Sequence, residues 1–201
     1  MSDGLISVVI PTIGRATLAA TRSSLKYQTY TEFEEIIVKD TERWGAPWAR
    51  NEGAKIANGE FLFFLDDDVI LDRTCFDRMV KALRQEDDSV AFAYCSYDRV
   101  GSVDGLVRSR QFNAGLLRQG NYISTMSLIR KEAYDKTAGW DDSLKRFQDW
   151  SLWLELVDLG YSGVFVNETL FTAYYFGECI TTLGSQDIRE AVDTVVRKHG
   201  L

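Results

Sequence analysis

Phe61-Leu-Phe-Phe-Leu65 runs straight into Asp66-Asp67-Asp68, and the reading of these eight residues decides the fold. Five apolar residues without alternation mark a strand covered on both faces, the habit of inner strands in an α/β sheet. Three adjacent carboxylates at its C-terminal end repel one another and call for a counter-cation. Open α/β sheets bind ligands at the carboxyl ends of their strands. Carboxylate oxygens are the preferred ligands of a hard divalent ion such as Mg²⁺ or Mn²⁺. Strand alternation would set Asp66 and Asp68 on one side and Asp67 on the other. A solvated acidic turn, or the start of a helix over Arg73–Gln85, would also accommodate them.

The surrounding chain alternates strand-like and helix-like patterns. Upstream, the β-rich run Leu5–Ile10 is expected to stop at Pro11, and Leu18, Arg22 and Leu25 mark a helix ending near Lys26. Ile36–Val38 reads as a second strand. Trp48–Ala57 reads as a helix, with Asn58-Gly59 as a left-handed stop. Downstream, Phe76, Met79, Val80 and Leu83 form the apolar stripe of a helix before the strand Val90–Tyr97. The second half is less regular. Leu106–Phe112, Tyr122–Ile129 and Gly163–Val166 resemble strands, and Gln148–Leu159 and a segment from Ser185 to before Gly200 resemble helices. The stretch 176–184 has little pattern and is expected to be a loop.

Composition excludes several classes. The 201 residues are 45% hydrophobic and 26% charged, with 11 Phe, 9 Tyr and 5 Trp, the proportions of one globular domain rather than of a disordered chain. A formal charge of −7 with no basic cluster makes nucleic acid an unfavoured partner. No apolar run reaches the ~18–20 residues that span a bilayer, and the start of the chain does not read as a signal peptide. The three scattered cysteines, Cys75, Cys95 and Cys179, fit a reducing cytoplasm better than a disulfide framework.

More polar groups fall at the same strand ends. Asp40 follows the second strand, Thr12 follows the first, and Arg50 within Ala49-Arg50-Asn51 can reach the same edge. Asp40 and Thr12 each have an ordinary alternative as a turn former or cap; the three together suggest a nucleotide pocket. Gln148-Asp149-Trp150 opens an amphipathic helix, so Asp149 is either a capping acid or a general base.

These segments carry a resemblance that covers nearly the whole length. Ser7-Val-Val-Ile-Pro-Thr12, Phe33–Asp40, Ala49-Arg-Asn-Glu-Gly53 with Ala57–Asp68, and Gly139–Leu144 with Gln148–Leu154 are similar, in order and spacing, to the motifs of glycosyltransferase family 2, inverting enzymes of the GT-A fold. The chain departs from the pattern at Lys39, where the family often has a first Asp, and at Gln148, where a Glu is usual; no QxxRW motif is present.

The resemblance implies an α/β GT-A fold, a Rossmann-like and mainly parallel central sheet flanked by helices, as one domain over 1–201. Residues 1–100 would form the half that binds a nucleotide sugar, and 101–201 the acceptor half with the C-terminal helix. It implies Mn²⁺ or Mg²⁺ on Asp66 and Asp68, and a nucleotide held by Pro11, Thr12, Arg15, Asp40, Arg50, Asp66 and Asp67. Asp149 would be the general base, and Trp140, Asp141, Gln148 and Trp150 would lie on the acceptor side. The donor would be a nucleotide-diphosphate sugar, a UDP-sugar first, and the acceptor a saccharide or lipid-linked saccharide. Peripheral membrane contact and a homodimer stay open, as does closure of Tyr174-Tyr175 and the loop after them as a lid. His199 reads as a cap rather than a ligand. Two other classes compete: a nucleotidyltransferase acting on a sugar phosphate, for which Pro11–Arg15 is a thin phosphate loop, and a non-catalytic carbohydrate-binding protein.

Overall fold

A computed structural model describes residues 4–175 and 185–201; the segment expected to form a loop, with Cys179, lies outside them. The elements are β1 (Ile6–Thr12), α1 (Leu18–Lys26), β2 (Phe33–Lys39), α2 (Ala46–Ile56), β3 (Phe61–Phe64), β4 (Val69–Leu71), α3 (Cys75–Arg84), β5 (Val90–Gly101), β6 (Gly105–Val107), α4 (Ala114–Gln119), β7 (Leu128–Arg130), α5 (Lys131–Tyr134), α6 (Gln148–Asp158), β8 (Ser162–Tyr175) and α7 (Ser185–Lys198). All the strands share one sheet, ordered β2-β1-β3-β7-β5-β8-β4, with β6 on β5. The β1–β2, β1–β3 and β5–β8 pairs are parallel; β3–β7, β5–β7, β4–β8 and β5–β6 are antiparallel. The fold is therefore mixed α/β.

Alternation along the strands divides the core in two. Val9, Leu62, Phe64, Phe92 and Tyr94 face one apolar layer with Trp150, Trp153 and Leu154 of α6. Ile6, Val8, Ile10, Phe61 and Phe63 face the other, with Phe76, Met79 and Leu83 of α3. Cys75 and Cys95 are free and buried in this second layer, where loss of water pushes the Cys95 thiol up to about 12. Burial on both sides explains why β3 lacks alternation.

Several sequence expectations are corrected. Pro11 lies inside β1 rather than ending it. Its missing N–H points toward β3 beyond the last pair, Val9 with Phe64, so no ladder bond is lost. Asn58-Gly59 is not a left-handed stop: Ala57 leaves α2 in an extended conformation. Gly59 is required for a different reason. A Cβ there would lie 2.6 Å from both Leu5 O and Ser7 N and 2.8 Å from Phe61 O. Backbone cannot yield as a side chain does, so Gly59→Ala is expected to cost about 1–3 kcal/mol, read as a lower midpoint in chemical denaturation; an unchanged midpoint would contradict this close packing. Leu106–Phe112 and Tyr122–Ile129 only overlap the short strands β6 and β7, and α4 lies in the interval between them. The strand expected at Gly163–Val166 continues to Tyr175, which carries β8 alongside the triple aspartate.

Candidate active site

β3 ends at Phe64, and Asp67 and Asp68 fall in a turn. Strand alternation therefore does not extend through the carboxylates, and each is directed by its own partner. Arg50 donates to Asp66 Oδ1 at 2.6 Å. Thr12 donates its hydroxyl to Asp67 Oδ2 at 2.5 Å. Arg15 donates to Asp68 Oδ2 at 2.9 Å and lies 3.6 Å from Asp67 Oδ1. β8 closes the side, with Tyr174 N donating to the Asp68 carbonyl at 3.0 Å.

A cavity of about 360 Å³ opens over these groups, lined by Pro11, Thr12, Arg15, Asp40, Arg50 and Asp66–Asp68 among others. Ala173, Tyr174 and Tyr175 form part of its wall. Burial, with the charge of Asp66, pushes the Asp68 carboxyl up to about 6; Arg15 pulls against that shift and Asp67 adds to it. Three carboxylates here face two arginines. Each arginine takes one oxygen of its aspartate, so a second oxygen on both Asp66 and Asp68 can meet a cation. Among the described residues, no three His, Cys, Asp or Glu side chains gather into a ready-made metal nest. Two carboxylates completed by ligand phosphate oxygens are the usual setting for Mg²⁺.

At the β2 end, Asp40 is buried and builds a loop. Its two oxygens accept from Trp44 N at 2.9 Å and Gly45 N at 2.7 Å. The turn-forming alternative is thus real, and the same carboxylate still lines the cavity. Arg43, which the sequence did not single out, lines it as well. Only its place after Asp40 could have drawn notice.

Arg50 is more than a pocket residue. Its buried guanidinium also reaches Gln148 Oε1 at 3.5 Å and lies over the Trp140 ring, 4.6 Å from the centroid. Next to it, Asn51 accepts from Trp140 N and Tyr134 Oη and donates to the Trp140 carbonyl. Residues 50 and 51 of α2 therefore hold the segment that leads into α6. Phe147, immediately before α6, has a left-handed backbone, φ 58°. Asp149, in the first turn, accepts from Trp150 N at 2.8 Å. Burial pushes its carboxyl up to about 6, while the Trp150 N–H, Arg50 and an Asn121 hydrogen bond pull it down. Asn121 is a second residue that no periodicity marked.

Asp149 is close enough to feel both Arg50 and Asp66, although it lies beyond the lining of the first cavity. The acceptor-side expectations fare unevenly. Trp140 and Trp150 are 2% and 3% exposed, so neither offers a ring face to a sugar; both are core. Trp150 donates its indole N–H to the Leu117 carbonyl. Asp141 is engaged by Ser143 and Lys198 beside a second, separate cavity. Gln148 donates to the Leu144 carbonyl at 2.7 Å, which fixes the oxygen it turns to Arg50. His199 joins α7 to α6 through Ser151 at 3.0 Å and Asp158 at 3.3 Å. No helix among the described residues is long and apolar enough to cross a membrane.

Comparison with known proteins supports the fold and the family. Residues 39–138 match the model of "Glycosyl transferase family 2". A Haemophilus influenzae protein described as an uncharacterized glycosyltransferase is 26% identical over 224 residues, covering 94% of this chain and 71% of its own. The crystal structure of S. aureus TarS 1-349 in complex with UDP-GlcNAc superposes with a TM-score of 0.74 at 17% identity, over 96% of this chain and 66% of that one. The mannosyltransferase PcManGT from Pyrobaculum calidifontis, in complex with GDP-Man and Mn²⁺, gives 0.63 at 15% identity, over 96% and 62%. At such identities the structures speak for the fold alone, and the chain spans about two thirds of each solved neighbour. The matched family segment, the curated relative and the shared architecture together identify the chain as a family 2-like glycosyltransferase of the GT-A fold.

Proposed function

We propose that the chain transfers a sugar, with inversion, from a nucleoside-diphosphate sugar to an acceptor hydroxyl on a saccharide or lipid-linked saccharide. A UDP-sugar is the first candidate donor. The observation that carries this reading is the convergence of three separate elements: Asp66–Asp68 after β3, Arg50 of α2, and Gln148-Asp149 at the head of α6. The solved neighbours bound to UDP-GlcNAc and to GDP-Man with Mn²⁺ support the donor class and a divalent ion.

Asp66 and Asp68 would hold Mn²⁺ or Mg²⁺, which when bound supplies Lewis-acid neutralisation of the departing diphosphate. Asp67, set by Thr12, would accept from the ribose hydroxyls. Asp40 would accept the ring N–H of the base, and Thr12, Pro11 and Arg15 would line the approach. Asp149 would take the acceptor proton as its oxygen attacks the anomeric carbon, with the nucleoside diphosphate leaving from the opposite face. No covalent intermediate forms, so one base suffices.

Thermal melting tests the donor site. At a hundredfold excess over Kd, UDP with Mn²⁺ should add about 2.7 kcal/mol, a rise of about 5–10 °C. Asp68→Asn should lose the part of the rise that depends on Mn²⁺. No rise in the unsubstituted protein, or an undiminished one in the variant, would refute the assignment of these carboxylates.

A further inference from the structure

Two residues other than glycine adopt positive φ among the described residues: Phe147, before α6, and Arg43, φ 59°, in the loop after β2. A left-handed backbone is unfavourable for a side chain such as arginine, and strain of this kind persists where the surroundings impose it, often at functional sites. The surroundings here are Asp40, whose carboxylate fixes the next two residues through Trp44 N and Gly45 N. Held in this way, Arg43 lines the same cavity that Asp40 lines. Among the described residues, Arg43 forms no ion pair, unlike Arg15 and Arg50, which are both tied to the triple aspartate.

Resting on the donor-site reading above, we infer that Arg43 reads the carbonyl edge of the nucleobase and makes the cleft selective for bases that present a carbonyl oxygen beside a ring N–H. Position supports the role. The diphosphate end of the cleft lies at β3, and β2 lies two strands away, about 10 Å, on the far side of β1. A nucleotide with its phosphates at Asp66–Asp68 therefore carries its base to Asp40 and Arg43. Chemistry supports the selectivity. A guanidinium only donates, and an ionised carboxylate only accepts, with enough lone pairs left for a ligand after two loop N–H groups are bound. Donor beside acceptor matches O4 and N3–H of uracil, and equally O6 and N1–H of guanine. Cytosine and adenine reverse both, placing an amino donor against Arg43 and a bare ring nitrogen against Asp40.

Calorimetric titration of the full chain in Mn²⁺ with UDP, GDP, CDP, ADP and pyrophosphate tests the inference. UDP and GDP should bind about tenfold or more tighter than CDP and ADP, the discrimination a well-placed base contact supplies. Arg43→Gly removes the cation and suits the left-handed backbone. It should weaken UDP and GDP about tenfold, leave CDP, ADP and pyrophosphate unchanged, and melt no lower than the parent. Arg43→Gln, which keeps the strain, should show the same selective loss. An equal loss across all five ligands would make Arg43 a phosphate contact and overturn the inference, as would no loss at all or a lower melting temperature for Arg43→Gly. Failure of every nucleotide to bind the parent chain would instead remove the donor-site reading itself.

Discussion

Asp149→Asn is expected to lower transfer by about 10²–10⁴-fold, the range a positioned general base contributes, while UDP in Mn²⁺ binds with unchanged affinity. The side chain is isosteric and keeps an oxygen for Trp150 N, so α6 should stay in place. The parent enzyme should show the matching pH dependence. With its pKa pushed up to about 6, Asp149 is protonated and idle below that value and becomes a base above it, so kcat/KM should climb through pH 6 and level off near 7. The same shift has a stability consequence of opposite sense. A carboxyl whose folded pKa is raised above the ordinary value favours the folded state when protonated and loses that contribution as pH rises through 6. A shift from 3.8 to about 6 amounts to roughly 3 kcal/mol at most at neutral pH. Asp149→Asn should therefore melt higher than the parent at pH 7, with the advantage gone near pH 4. A variant that transfers sugar at the parent rate would disqualify Asp149. One that is inactive and also fails to bind UDP would point to a structural role.

The contrast between what could and could not be read in advance follows from range. β3 and the helices α1, α3 and α6 are legible because continuous apolar runs and helical stripes are local signals of burial. The triple aspartate is legible for the same reason: charge repulsion between neighbours in sequence needs no knowledge of the fold. Chain order and motif spacing brought Asp149 to the site, but could not show that Arg50 connects it to Asp66. That link depends on a contact between α2 and α6 at residues 98 apart in sequence. The place of the tryptophans is not legible, because an apolar ring beside a polar motif looks the same in sequence whether it lines a cleft or supports it. Trp140 supports it, lying under the Arg50 guanidinium and against Phe64 at 5.0 Å. Arg43 was invisible for another reason. Its importance lies in a backbone conformation that Asp40 imposes, and a composition of Thr41-Glu-Arg-Trp-Gly45 does not announce a left-handed arginine.

Arg50→Gln should be the most damaging substitution outside the carboxylates, because one side chain is attached to three parts of the site. The guanidinium is 6% exposed and its partner Asp66 32% exposed. Removing one member of a fully buried pair costs about 3–5 kcal/mol. Water reaching Asp66 reduces this to about 2 kcal/mol, or about 4–8 °C in melting temperature. Chemistry should suffer separately from stability. Arg50 pulls the Asp149 carboxyl down, so its loss must raise that pKa further and move the rising limb of the pH–rate profile to higher pH. Activity at pH 7 should then fall well below the parent, and raising the pH to about 8 should recover part of it. A merely structural arginine would lower the melting temperature and leave the profile where it was. A profile that stays in place, with the melting temperature also unmoved, would mean that donor carboxylate and α6 are neighbours without being coupled.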